Sequence, residues 1–314
     1  MKICYLFSGQ GAQYPGMGKD LYEAYDSVRQ LFDMASETCS IDTVKLLFDS
    51  DEAELKETKN TQIAVTLMNL AVRRALLENG IESTGSAGFS LGEWSALVDA
   101  GVIAEDEVFP IVMKRAELMT AATEGLALAD GSGMAAVIGL PAGEVEKAVL
   151  SIEGVFPANY NSPDQIVISG SMEGVMKGSE ACKKAGARRV IPLKVSGPFH
   201  TPMLEEAKRS FDKYLRSWEM RKPEKHIYSN ASGARVQSTE EIRTNAVLQI
   251  VSPVRWTAEE NVIAADSYDI CIECGPGKVL TGLWKKAGHT IQCKPAGSME
   301  SIEHVIEEVK MQER

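Results

Sequence analysis

Between positions 88 and 92 the chain reads Gly88-Phe89-Ser90-Leu91-Gly92, a serine with a glycine two residues to either side. That spacing suits a sharp turn from a strand into a helix. The serine takes a strained backbone, and the glycines stand where a Cβ would strike the neighbouring strand or helix. Such a turn lifts the hydroxyl above a sheet and aims the next backbone N–H, that of Leu91, at a developing oxyanion. The flanks fit unequally. Trp94, Leu97 and Val98 share a helical face that Gly101 is placed to end, whereas Ser83-Thr84-Gly85-Ser86-Ala87 is a weak strand of small residues. The motif calls for an α/β fold with a hydrolase-like body, in which a strand of a parallel sheet delivers a nucleophile to the sheet's edge.

With 314 residues the chain can bury a full core, as one large domain with an insertion or as two domains. A formal charge of −11 argues against a nucleic-acid binder, which needs a basic footprint. No apolar run approaches the ~20 residues that cross a bilayer. Residues 1–7 are too short for a signal-peptide core, so the expected location is cytoplasmic. Six cysteines are scattered at positions 4, 39, 182, 271, 274 and 293. Cys271 and Cys274 have the spacing of half a zinc site, but no second pair completes it. On a strand, residues three apart face opposite ways, so the expectation is reduced, structural thiols and no metal.

The chain opens with a short strand, Lys2 to Phe7, then the turn Gly9-Gln10-Gly11-Ala12-Gln13. That turn fails the dinucleotide pattern because Tyr14 stands where a third glycine belongs. Helices are predicted over 21–36, 43–47, 60–77 and 106–123. Residues 127–195 read strand, helix, strand, strand, helix, strand, with strands at 133–140, 155–160, 165–169 and 189–195. This order is that of an inserted ferredoxin-like subdomain. The body, 1–126, resumes over 196–314. There Thr201 can cap a helix with Pro202 at its first position, and a strand is predicted at 227–230. A helix is expected at 245–250, a last strand at 269–273, a helix from Val279 and a polar C-terminal helix over 301–311.

A serine nucleophile needs a base, and the chain has four histidines. His304 lies on the polar terminal helix, His289 in a turn, and His226 beside a charged run. His200 is different. It sits in a strand-to-helix connection, Ser196-Gly197-Pro198-Phe199-His200-Thr201-Pro202, of the kind that holds Ser90. No acid stands out between Ser90 and His200, and the histidine comes mid-chain. An ordinary esterase order is therefore disfavoured, and something other than a carboxylate orients the histidine.

Seven segments then match a family in register: Phe7 to Gln13, Gly88 to Glu93, Lys114 to Met119, Asn159 to Pro163, Gly197 to Met203, Gln249 to Trp256 and Gly275 to Leu280. Together they resemble the malonyl-CoA:acyl carrier protein transacylases of fatty-acid and polyketide synthesis, across essentially the whole chain. The resemblance implies Ser90 as nucleophile, His200 as its base and Gln249 as the position whose backbone orients that base. It implies an oxyanion hole from the N–H groups of Gln10 and Leu91, and Arg115 as the cation for the malonyl carboxylate. Malonyl-CoA and acyl carrier protein are the implied partners, with no bound cofactor. Two positions depart from the family: Phe89 replaces a histidine and Ser8 a proline. Phe199 resembles the malonyl-selective members, its ring filling space that an α-methyl group would need. The alternative is an acyl-thioester hydrolase on the same scaffold. Arg115 separates the two, since a hydrolase of simple acyl chains gains nothing from a buried cation. A non-catalytic subunit would have no reason to keep Ser90, His200, Gln10 and Arg115 together. For docking of a carrier protein, Lys183, Lys184, Arg188, Arg189 and Lys194 form one basic candidate face, and Lys285 with Lys286 another.

Overall fold

The computed structural model describes residues 1–127, 131–193, 195 and 197–312. β1 (Ile3–Phe7) is apolar and buried along its whole length, as a strand covered on both faces requires. It lies between β2 (Gly85–Gly88) and β9 (Ile270–Cys274), parallel to both. β10 (Gln292–Pro295) and β7 (His226–Ser229) extend the sheet in parallel on either side. The strand order is β10-β9-β1-β2-β7-β8. β8 (Ala234–Val236) runs antiparallel to β7, so the sheet is parallel except at this edge.

β2 forms although its residues have little strand propensity, because only small residues fit there. A Cβ on Gly85 would stand 1.9 Å from the Tyr268 hydroxyl, and one on Gly88 2.0 Å from the Gly92 backbone. Packing overrides propensity. On the opposite side of the turn, a Cβ on Gly92 would stand 2.1 Å from the Phe7 carbonyl oxygen. Both glycines of the serine motif therefore serve close backbone approach.

The second sheet comprises β3 (Ser132–Ile138), β4 (Val155–Ser162), β5 (Gln165–Ser171) and β6 (Arg189–Leu193). All its pairings are antiparallel, in the order β4-β5-β3-β6. Helices Ala142–Val149 and Met172–Lys184 cover one face over their own apolar cluster. The other face looks toward the main sheet, and β4 is tied to the main body by backbone bonds. Tyr160 donates its N–H to the Val254 carbonyl at 2.8 Å, and Val254 donates to Ala158 at 2.9 Å.

Several elements differ from expectation. The 21–36 helix is two, Lys19–Ala24 and Asp26–Cys39, broken at the extended Tyr25. The 245–250 helix begins earlier and spans Thr239–Leu248, with the Ser238 hydroxyl capping it. Thr201 offers no side-chain cap, because its hydroxyl donates to the Pro198 carbonyl at 2.7 Å. The helix Trp256–Ala265 escapes periodicity analysis because it buries Glu259 and Glu260 and so lacks a clean polar face. The short helix Glu52–Lys56, β8 and β10 were also not anticipated.

All six cysteines are free. Cys4, Cys271 and Cys293 stand in register across three neighbouring strands, while Cys274 points into the other apolar cluster. Burial raises the pKa of these four thiols, so they remain protonated. Among the described residues no helix is long and apolar enough to cross a membrane.

Candidate active site

Ser90 sits at the turn after β2 with φ of 51°, in the left-handed region that L-residues seldom occupy. Its Oγ is 2.8 Å from His200 Nε2. His200 Nδ1 is 2.8 Å from the Gln249 carbonyl oxygen. A carbonyl only accepts, so Nδ1 carries the ring proton and Nε2 presents its lone pair to the serine hydroxyl. His200 is itself left-handed, with φ of 61°, and is buried. Burial, and next the neighbouring Arg115 charge, lower its pKa to about 4, which keeps the imidazole in its basic form at neutral pH.

Arg115 projects from the helix Val108–Ala127 and is only 2% exposed. Its neighbour Lys114 makes the exposed ion pair with Glu117 instead. Arg115 Nη2 donates to Gln249 Oε1 at 3.0 Å and lies 3.5 Å from Ser90 Oγ. Its Nε is buried and has no hydrogen-bond partner. Burial lowers the guanidinium pKa to about 10, so it still carries its charge at pH 7. A buried cation with an unspent donor beside a nucleophile is a seat for a small anion.

The first loop is pressed against the serine turn. A Cβ on Gly9 would stand 2.4 Å from the Phe89 carbonyl oxygen, and Asn69 Nδ2 holds the Ser8 carbonyl at 2.9 Å. Gln10 thereby lines the same cavity as Ser90, Arg115 and His200. Neither the Gln10 nor the Leu91 N–H has an acceptor among the described residues, the condition expected of oxyanion donors. The cavity measures about 240 Å³ and runs between the two sheets. Met119, Met134, Leu193 and Phe199 give it an apolar wall. Phe89 turns its ring edge to Trp256, centroids 5.5 Å apart.

Three further residues complete the site. Asn230, following β7, accepts the Ser90 N–H at 2.6 Å and donates to the Gly88 carbonyl at 2.8 Å, bracing the turn from below. It also donates to Glu259 at 2.7 Å. Glu93 accepts from the Gln249 side-chain amide and from the Asn230 N–H. Gln249 donates from the same amide nitrogen to the Ser90 carbonyl at 3.0 Å. Glu93 lay in view at the end of the serine motif, whereas nothing local marks Asn230.

The other histidines stand elsewhere. His226 meets Tyr268, His289 packs on Trp284, and His304 is exposed on the last helix. Lys183, Lys184, Arg188 and Arg189 are exposed together, as are Lys285 and Lys286, while Lys194 lies outside the described residues. Among the described residues no three His, Cys, Asp or Glu side chains gather as a metal site.

A family model for the acyl transferase domain matches residues 4–312. The malonyl CoA-acyl carrier protein transacylase of Bacillus subtilis (strain 168) is 38% identical over 313 residues, covering 98% of each chain. The solved structure of MCAT from Streptococcus pneumoniae matches with a TM-score of 0.92 at 36% identity, covering 98% of this chain and 100% of that one. A holo complex of a type II PKS acyl-carrier protein with its malonyl-transacylase matches with a TM-score of 0.93 at 35% identity, covering 98% of this chain and 100% of the other.

Proposed function

The chain belongs to the acyl transferase domain family, and on that premise we propose that it moves the malonyl group of malonyl-CoA to the phosphopantetheine thiol of acyl carrier protein, by way of a malonyl ester on Ser90. The observation that carries this reading is Arg115: a buried guanidinium within reach of the nucleophile, its Nε unpaired. The malonyl carboxylate supplies the missing acceptor. An uncharged acyl chain would leave the cation stranded, which disfavours a general thioester hydrolase.

In the first half-reaction His200 Nε2 takes the Ser90 proton as Oγ attacks the thioester carbonyl. The oxyanion is held by the N–H groups of Gln10 and Leu91. The tetrahedral intermediate collapses, and CoA leaves with the proton from His200. In the second half-reaction the carrier thiol gives its proton to His200 and attacks the ester, and the same base returns it to Ser90. Gln249 orients the base through its carbonyl oxygen, so the Ser90–His200 pair needs no carboxylate as its third member. Phe199, at the cavity wall, excludes an α-methyl substituent. No cofactor is required for these steps.

The strand order of the second sheet and its two covering helices support a ferredoxin-like subdomain, 127–195, inserted into a hydrolase-like body of 1–126 and 196–314. Its joins, at 128–130 and at 194 and 196, lie outside the described residues. Six unpaired thiols suit a reducing compartment, and the cytoplasm is the location we assign.

The test is intact mass spectrometry after brief incubation with malonyl-CoA, acetyl-CoA or methylmalonyl-CoA in separate tubes. Malonyl-CoA alone should leave a full adduct; equal adducts from all three would sink the reading. In Arg115→Ala, malonyl acylation should fall about 100-fold while acetyl acylation changes little, because only the charged group loses charge-assisted hydrogen bonds. An equal fall for both donors would make Arg115 merely structural.

Docking of the carrier rests on local charge, since the chain is itself acidic, with a net −11. Reversing Lys184 and Arg189 to glutamate should raise KM for the carrier protein severalfold and weaken its salt dependence. Acylation by malonyl-CoA should stay unchanged. Carrier kinetics untouched by the double reversal would remove this face.

A further inference from the structure

Gln249 is a junction of four groups. Its carbonyl oxygen orients His200, its side-chain oxygen holds Arg115, and its amide nitrogen serves both Ser90 and Glu93. A side-chain amide can be turned end for end, and the turned form would be ruinous here. Its NH2 would face the guanidinium, donor against donor, and its oxygen would face a carboxylate and a carbonyl. What forbids that turn is Glu93. An ionised carboxylate only accepts, so it demands the amide nitrogen and thereby delivers the oxygen to Arg115.

Glu93 is buried, at 4% exposed. The charged groups facing it are Arg115, from the helix Val108–Ala127, and Glu259, from the helix Trp256–Ala265. Asn230 bridges the two carboxyls, its N–H to Glu93 and its side-chain amide to Glu259. Burial, and next the Glu93 charge, hold the Glu259 pKa well above the usual carboxylate range. Glu259 therefore stays protonated, and Glu93 carries the one negative charge of the pair. This anion balances Arg115 from behind the amide without touching it. A direct carboxylate–guanidinium pair would consume the donors that the substrate needs. An intervening amide keeps the cation charged and fixed in place, with its Nε donor unspent.

We propose that Glu93 is the positioning residue that sets selectivity for a carboxylate-bearing acyl group, acting through Gln249 on Arg115. The inference rests on the malonyl-transfer reading. It also predicts a dependence on pH. Burial raises the Glu93 pKa to about 7, against the lowering effect of its hydrogen bonds and of Arg115. A protonated Glu93 can donate as well as accept, and so no longer dictates which way the amide faces. The Glu93→Gln variant has the same ambiguity at every pH and nearly the same shape.

The experiment measures kcat and KM for Ser90 acylation by malonyl-CoA and by acetyl-CoA, in the wild type and in Glu93→Gln, from pH 8 to about 5.5. In the variant at pH 8, malonyl-CoA should lose about tenfold in kcat/KM, mostly through KM, while acetyl-CoA, which makes no demand on Arg115, should lose severalfold less. The wild-type malonyl-to-acetyl ratio should fall toward the variant's as pH drops through about 7, and the variant's own ratio should stay flat. A variant that slows both donors by one factor, or a wild-type ratio constant across the range, overturns the role of Glu93. If Glu93→Gln does not fold, the wild-type pH series decides alone. A wild type that malonyl-CoA fails to acylate would instead refute malonyl transfer itself.

Discussion

Ser90→Ala should form no covalent adduct with malonyl-CoA and should lose transfer to the carrier protein by about 10⁴-fold or more, as expected when a covalent route loses its nucleophile. The rest of the site argues that the loss will be chemical and not a collapse of the fold. The turn is held by the Gly88 and Gly92 contacts and by the Asn230 bond to the backbone N–H of residue 90, none of which uses the hydroxyl. Intact mass and peptide mapping decide the matter. An adduct that persists in Ser90→Ala, or one that maps to Cys274, would take the nucleophile's role from Ser90.

The second large effect concerns His200. Removing it should slow acylation and deacylation alike, by about 10²–10⁴-fold each, because one imidazole handles the proton in both directions. The pH profile should carry the same signature. Burial and Arg115 hold the imidazole pKa down to about 4, so the basic form persists throughout the neutral range. Protonation, and with it the loss of rate, sets in only as pH falls through that value. Acetyl-CoA is the cleaner donor for this measurement, since it makes no demand on Arg115. An acid limb near the ordinary histidine value of about 6.5, or a mild His200→Ala beside a crippled His226→Ala, would show that the base has been misassigned.

Ser90 and His200, the nucleophile and base we propose, were legible because each stands in a short-range pattern. Ser90 is fenced by glycines, and His200 lies in a glycine–proline connection. Gln10, Leu91, Arg115, Phe199 and Gln249 came from a resemblance of ordered motifs; no property of an isolated arginine would have lifted Arg115 above a surface reading. Its burial decides the point, and burial is a tertiary fact. Asn230 was out of reach for the same reason: its partner Ser90 is 140 positions away, and a lone asparagine after a strand carries no local signal. The second sheet was readable because its strands are short runs set between helical segments, and its two central strands, β3 and β5, are each buried over five consecutive residues. The helix Trp256–Ala265 was not, because interior glutamates erase the stripe by which helices are found.

Ser90 and His200 both hold left-handed backbones that a side chain disfavours. The strain amounts to about 1–2 kcal/mol at each, and glycine would relieve it at a smaller entropic loss. A laboratory selection for heat resistance alone would therefore be drawn toward glycine at position 90 and would enrich inert survivors. Thermal robustness and turnover compete at that position, so any campaign to harden this chain must screen for acyl transfer at every round.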